Sequence, residues 1–298
     1  MKILVTGGTG FIGRALIKKL IADQHQVTVL TRSASKAFTL FKDTCLINEY
    51  LFDIPACQAP EAVVNLAGAP IADRRWSAKR KQLLRSSRID FTRELVDWLT
   101  FHSPRLKVMI SGSAIGYYGS QPPELVLSES SPVQDGFTHR LCLDWENEAK
   151  RMEMIGTRVC CLRTGIVLGK NGGALAKMLP AFRLGLGGPI ASGQQMMSWV
   201  QLEDMVRAIL FMLDNEQAQG PFNVTAPIAV SNRVFSESLA HALHRPACLV
   251  VPEFVINLML GEGAELLVKG QNVIPTKLVE MGFSFQYPSL EMALKASL

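Results

Sequence analysis

The 298-residue chain is poor in several signals, and each gap removes a class of function. Its six cysteines are Cys45, Cys57, Cys142, Cys160, Cys161 and Cys248, and no two have CxxC spacing. They read as small core hydrophobes in a reducing, cytoplasmic setting. Cys160 and Cys161 are adjacent in an expected strand and should face opposite sides of it. His241 and His244 lie on an expected helix without a nearby Cys, Asp or HExxH partner, so they read as surface histidines and no metal is expected. The longest uncharged stretch, Leu184 to Leu202, is broken by glycines, Pro189, Ser192 and glutamines, whereas a membrane span needs about 20 mostly apolar residues. No leader peptide is expected either, because the first apolar strand runs straight into glycines. Charge of one sign is also missing. Lys plus Arg number 31 against 26 Asp plus Glu, and the resulting +5 is too dispersed to imply a nucleic-acid partner.

What remains is a globular chain, 48% apolar and 19% charged. Apolar, β-branched runs at Ile3–Thr6, Val27–Thr31, Ala62–Leu66, Val108–Ser111 and Val159–Leu162 predict strands. Between them, Leu16, Ile17, Leu20 and Ile21 make one helix face, and Leu95, Val96, Trp98 and Leu99 belong to another. Near-continuous apolar strands joined by amphipathic helices predict an α/β fold, a doubly wound parallel sheet covered on both faces. After about residue 165 glycine and proline punctuate the chain. We expect a main domain over 1–165 and a smaller C-terminal α/β substrate lobe over 166–298, with some late elements returning to the main domain.

The first thirty-two residues carry the strongest chemistry. Strand Ile3–Thr6 leads into Gly7-Gly8-Thr9-Gly10-Phe11-Ile12-Gly13 and then a helix. In that context Gly7 makes the sharp turn, Gly10 admits a pyrophosphate, and Gly13 lets helix and strand pack closely. The free N–H groups of the helix start suit an anion. At the end of the second strand, where an NAD site commonly carries a carboxylate, stand Thr31, Arg32 and Ser33, with Lys36 one turn on. A guanidinium there matches a 2′-phosphate, so NADP(H) is the expected cofactor. The plainer alternative lays Arg32 along the adenine, which would leave the preference weak. Asp53 is either a partner for the adenine amino group or a solvated loop carboxylate.

With these motifs the chain resembles the extended short-chain dehydrogenase/reductase superfamily. More narrowly, it resembles the atypical "epimerase family" proteins with a DUF1731-type C-terminus. The resemblance rests on the Gly7–Gly13 run, Asn65-Leu66-Ala67-Gly68, Arg75-Trp76, Ser87-Arg88, Ser111-Gly112-Ser113, Gly116-Tyr117-Tyr118-Gly119, Arg163–Gly169, Phe182–Pro189 and Gly270-Gln271. It implies a Rossmann fold in which Gly7–Gly13 hold the pyrophosphate and Thr31 and Arg32 meet the adenosine end. It further implies that Leu66, Ala67 and Gly68 line the cofactor, that Arg88 is a further contact, and that Val167 faces the nicotinamide end.

The catalytic set departs from the superfamily's pattern, which is Ser with a Tyr-x-x-x-Lys pair. Ser113 occupies the serine place. Aligning Glu146 with the acidic residue that often follows the pair puts Thr138 at the tyrosine position and Cys142 at the lysine position. Neither can do that work, since a proton relay needs a titratable group of suitable pKa. Tyr117 and Tyr118 are the substitute proton donors we consider, without a nearby lysine to activate them. The alternative is that one ring packs on the loop while the other lines a pocket. Cys142 as a nucleophile is weaker still, with only Arg140 and His139 near enough to depress its pKa.

Other features are read more plainly. Arg74, Arg75, Lys79, Arg80, Lys81, Arg85, Arg88 and Arg93 form a solvated helix face or a field attracting NADPH or a phosphorylated substrate. Trp199–Asp204 is expected to begin a helix, with Asp204 capping or packing it and Gln201 where many extended members carry His. Met196, Met197 and Trp199 suit a core more than a ligand wall. Two functions follow. One is an NADP(H)-dependent oxidoreductase or epimerase-like enzyme for a small carbonyl or sugar-like substrate; the other is a non-catalytic NADP(H)-binding redox sensor or scaffold.

Overall fold

A computed structural model describes residues 1–298. The chain-order strands are β1 (Lys2–Thr6), β2 (Gln26–Leu30), β3 (Leu46–Asn48), β4 (Ala62–Asn65), β5 (Val108–Ala114) and β6 (Val126–Leu127). They continue with β7 (Arg158–Thr164), β8 (Ile166–Leu168), β9 (Met196–Met197), β10 (Trp199–Gln201) and β11 (Gly220–Val224). Seven of these form one sheet, ordered β11-β7-β5-β4-β1-β2-β3, with every neighbour parallel. The doubly wound α/β arrangement is thus the fold of this chain.

Burial on both faces explains the continuous apolar strands. Ile3, Val5, Val64, Ile110, Cys160 and Leu162 point into one core, which takes Leu16, Ile17 and Leu20 from α1 (Phe11–Ala22) and Ala37 and Phe41 from α2 (Ala34–Phe41). Leu4, Val63, Met109, Val159 and Cys161 point into the other. Adjacent Cys160 and Cys161 therefore do face opposite ways, as period-2 geometry requires.

The second face is covered by α4 (Phe91–His102) and α5 (Phe137–Lys150). Helix α3 (Ala78–Arg85) runs into α4 through a π-helical turn, Ser86–Asp90. The edge strand β11 comes from late in the chain, and Pro221 within it faces no further strand that would need its missing N–H. Leu278 and Phe283 also pack back onto the main core.

A second core gathers Leu175 and Phe182 of α6 (Gly173–Arg183), Phe235 and Leu239 of α8 (Asn232–Ala242), Trp199, and Leu290 and Leu294 of the last helix. Between those helices α7 (Leu202–Asp214) packs its buried face on the main sheet. One expectation needs correcting here. Trp199–Gln201 is strand, paired with β8, and the helix begins only at Leu202. Asp204 ties α7 to the C-terminal segment by accepting the backbone N–H of Gln286 at 2.9 Å and of Tyr287 at 2.8 Å. His241 and His244 are exposed. No helix is long and apolar enough to cross a membrane.

Candidate functional site

The glycine turn sits at the C-terminal end of β1, the edge where parallel sheets bind ligands. Gly7 has φ +67, and a Cβ there would lie 2.5 Å from the Leu66 carbonyl oxygen. Gly8 has a packing role, since its Cβ would strike Ile17 at 2.5 Å and Val29 at 2.9 Å. A Cβ on Gly13 would lie 2.5 Å from the Gly7 oxygen, so only glycine lets α1 approach the turn. Gly10 closes the turn through its N–H to Gly7 O at 2.9 Å and leaves α1 without a side-chain cap. Its outer side is open, for a Cβ would meet only Gly7 O, at 3.0 Å. Uncapped N–H groups around an open concavity form a cradle that fits a pyrophosphate. Thr9 and Ile12 are half-buried beside it. The Phe11 ring is gripped by the segment that follows β8, where side chains at Gly169 and Gly173 would meet it at 3.0 and 2.9 Å. Val167 lies in β8, paired with Val200 of β10, and its carbonyl oxygen would be 2.7 Å from a Cβ at Gly173.

At the adenosine end, Thr31 lies just beyond β2 and bonds its N–H to Asn48 O at 3.0 Å. Arg32 is exposed and makes no ion pair or hydrogen bond within the chain. Sequence reasoning placed no carboxylate near it, and this is corrected by Glu49, whose Oε1 accepts the Ala34 N–H at 2.7 Å. The signal was invisible because Glu49 follows β3, a three-residue strand. Asp53 sits in a single helical turn, Leu51–Asp53, and is exposed.

Leu66, Ala67 and Gly68 leave β4 beside the turn. Thr6 Oγ1 donates to Asn65 Oδ1 at 2.6 Å and accepts the Ala67 N–H at 3.2 Å, which pins the segment. Arg88 projects from the π-helical turn; such insertions commonly re-aim a functional side chain. Its guanidinium donates to Ala69 O at 2.9 Å and Leu84 O at 3.2 Å and lies 5.3 Å over the Trp145 ring. Burial lowers its pKa from the ordinary value. A Cβ at Gly68 would touch that guanidinium at 3.0 Å. The rest of the basic run is only partly paired, since Arg74, Arg75 and Lys79 are exposed and make no ion pair. Lys81 pairs with Glu262 at 2.7 Å, Arg85 with Asp144 at 2.8 Å, and Arg93 with Glu148 at 2.6 Å, while Arg80 donates to Pro70 O.

Ser113 lies within β5, one residue from its end, and is 5% exposed. Its hydroxyl donates to Glu146 Oε1 at 2.8 Å. Fully buried Glu146 also takes Arg163 Nε at 2.9 Å on Oε1 and Arg163 Nη2 at 3.0 Å on Oε2. Burial disfavours the Arg163 cation, but the bonds and charge of Glu146 outweigh it and raise its pKa. Sequence reasoning used Glu146 only as an alignment marker and missed this pair. The tyrosines then separate. Tyr118 is wholly buried; its hydroxyl donates to Asn223 at 2.6 Å and accepts from Arg163 Nη1 at 3.1 Å. Burial raises its pKa against the opposing pull of Arg163, which unsuits it for proton exchange at a cleft. Half-buried Tyr117 lies face-on to Arg163, 3.4 Å from ring centre to guanidinium carbon, and its hydroxyl has no partner in the chain. Thr138 and Cys142 are buried on α5, and burial pushes the Cys142 thiol up to about 12, which removes it as a nucleophile. Met197 and Trp199 pack in the second core.

Comparison with known proteins agrees with this geometry. The model of the NAD dependent epimerase/dehydratase family matches residues 3–225, and a domain of unknown function, DUF1731, matches residues 251–297. An Arabidopsis thaliana protein, "Epimerase family protein SDR39U1 homolog, chloroplastic", is 42% identical over 99% of this chain and 86% of its own length. An epimerase family protein of Staphylococcus haemolyticus is 38% identical over 99% of this chain and 98% of its own. Among solved structures, human epimerase family protein SDR39U1 with NADPH superposes with a TM-score of 0.88 at 32% identity, covering 99% and 98% of the two chains. The UDP-glucose 4-epimerase of Thermus thermophilus with NAD, at TM-score 0.80 and 18% identity over 100% and 97%, shares the fold.

Proposed function

The chain belongs to the NAD dependent epimerase/dehydratase family, and on that premise we propose that it binds NADP(H) and acts as an oxidoreductase or epimerase-like enzyme on a small carbonyl or sugar-like substrate. The observation that carries this reading is the Gly7–Gly13 cradle, open outward and closed inward, with the unpaired Arg32 guanidinium at the next strand end. The NADPH bound to the human relative supports the same cofactor. Gly7, Gly8, Thr9, Gly10, Phe11, Ile12 and Gly13 would hold the pyrophosphate, and Thr31 and Arg32 the adenosine end. Leu66, Ala67, Gly68 and Arg88 would flank the middle, with Val167 toward the nicotinamide. When bound, NADP(H) supplies or takes up a hydride. From this chain, Ser113 and Tyr117 are the polar groups left to meet a substrate.

A second reading, a non-catalytic NADP(H) sensor or scaffold, is favoured by one observation: Thr138 and a neutral Cys142 stand where a proton relay is usual. Fluorescence titration with NADPH and NADH tests the shared premise. Saturable binding with NADPH tighter is expected, and no response to either nucleotide overturns both readings. NADPH oxidation across a carbonyl library selects the enzyme; binding without any turnover selects the sensor.

A further inference from the structure

The hydrogen bond between Ser113 and Glu146 has a direction, and Arg163 sets it. The guanidinium forks onto the carboxylate, with Nε on Oε1 at 2.9 Å and Nη2 on Oε2 at 3.0 Å. Guanidinium nitrogens only donate, so both carboxylate oxygens serve as acceptors, and a proton on either would face an N–H. The hydrogen in the 2.8 Å contact therefore belongs to Ser113. Serine has one O–H and two lone pairs. With the O–H committed to a buried carboxylate, Ser113 has only acceptor capacity left. Cys142, the other polar neighbour of this hydroxyl, is a neutral thiol and a weak acceptor that does not compete for the proton.

We infer that Ser113 meets the substrate as a hydrogen-bond acceptor, so that the group docking at the end of β5 is a donor, a hydroxyl or an amine, rather than a carbonyl oxygen. This rests on the reading that the cleft above β5 takes the substrate. Glu146 is a positioning residue: it reaches the substrate only through Ser113, whose polarity it sets. In the usual arrangement of such sites the serine donates to a carbonyl, and here the resting polarity is reversed.

Matched fragments differing only in the donor test it: cyclohexanol against cyclohexanone and 2-propanol against acetone, measured by saturation-transfer NMR on the wild-type chain loaded with NADP⁺. The alcohol of each pair is expected to bind about two- to tenfold more tightly than its ketone, the range of one net hydrogen bond. Ser113→Ala should bring the alcohol down to the ketone, and Ser113→Thr, which keeps a hydroxyl for Glu146, should restore the difference. Glu146→Gln should move the alcohol-to-ketone ratio to one or below, whereas a merely structural role would weaken both members together. Ketones binding as well as alcohols in the wild-type chain, or an alcohol signal indifferent to Ser113→Ala, overturns the inference, and so does the lack of any transfer to either pair. NADPH titration of the same sample separates the failures. Cofactor binding without donor preference sinks this inference alone; no cofactor binding sinks the reading beneath it.

Discussion

Glu49 reaches from the end of β3 to the start of α2 and accepts the backbone N–H of Ala34 at 2.7 Å, two residues from the unpaired guanidinium of Arg32. An anion thus occupies a helix start beside the place proposed for a 2′-phosphate, and the two negative charges compete. Glu49→Gln is expected to raise NADPH affinity about three- to tenfold and to leave NADH affinity little changed. The gain should shrink as salt is added, because both groups are exposed. Parallel fluorescence titrations at two ionic strengths check it.

Arg32→Ala removes the cation without disturbing the fold, since Arg32 is exposed and contacts no partner. A charge-assisted bond is worth about 1.5–3 kcal/mol, so NADPH affinity should fall about ten- to a hundredfold. NADH should bind almost as before. An equal loss for both nucleotides would place Arg32 on the adenine instead.

Gly13→Ala forces a Cβ to within 2.5 Å of the Gly7 oxygen, where backbone must yield. Overpacking of this kind costs about 1–3 kcal/mol. Because the displaced atoms form the cradle, NADPH affinity should fall by more than tenfold, and urea unfolding should show the accompanying stability loss.

Glu146→Gln leaves the fork of Arg163 facing an amide nitrogen in a site where Arg163 is 2% and Glu146 0% exposed. Breaking a buried pair from one side costs about 3–5 kcal/mol. The double variant Glu146→Gln, Arg163→Met should recover part of that loss, because no uncompensated charge remains. Chemical denaturation of the wild-type chain and the two variants gives the comparison.

Burial holds Cys142 at about 12 and Cys160 at about 11, against 9.0 for the free thiol. Between pH 9 and 11 the unfolded chain has lost these protons while the folded chain keeps them, so stability must fall as pH rises through that window. Cys142→Ala should flatten the fall measured by denaturation at successive pH values. At neutral pH a thiol reagent should label exposed Cys57 and Cys248 and spare Cys142, Cys160 and Cys161 until the chain unfolds.

Much of this protein was legible in local pattern. The β1–turn–α1 unit follows from short-range sterics: a left-handed Gly7, a Gly13 with no room for a methyl group, and Leu16, Ile17 and Leu20 on one helix face. The five strands read from apolar runs are all present, each within about three residues of its expected ends. Strand β11 was obscured because Gly220 and Pro221 open it, and β3 because three half-exposed residues carry no periodicity.

Residue order thus sufficed for the strands of the α/β fold and for the glycine turn after β1, because both depend on neighbours a few positions apart. The acceptor polarity of Ser113, the burial of Tyr118 beside Arg163, the pairing of Arg85 with Asp144 and the placement of Glu49 could not be read in the same way. Their partners lie 33, 45, 59 and 15 positions away along the chain. Hydrogen bonds and ion pairs act over about 3 Å, so which of many distant polar groups meet is settled only when the sheet and its covering helices close around them.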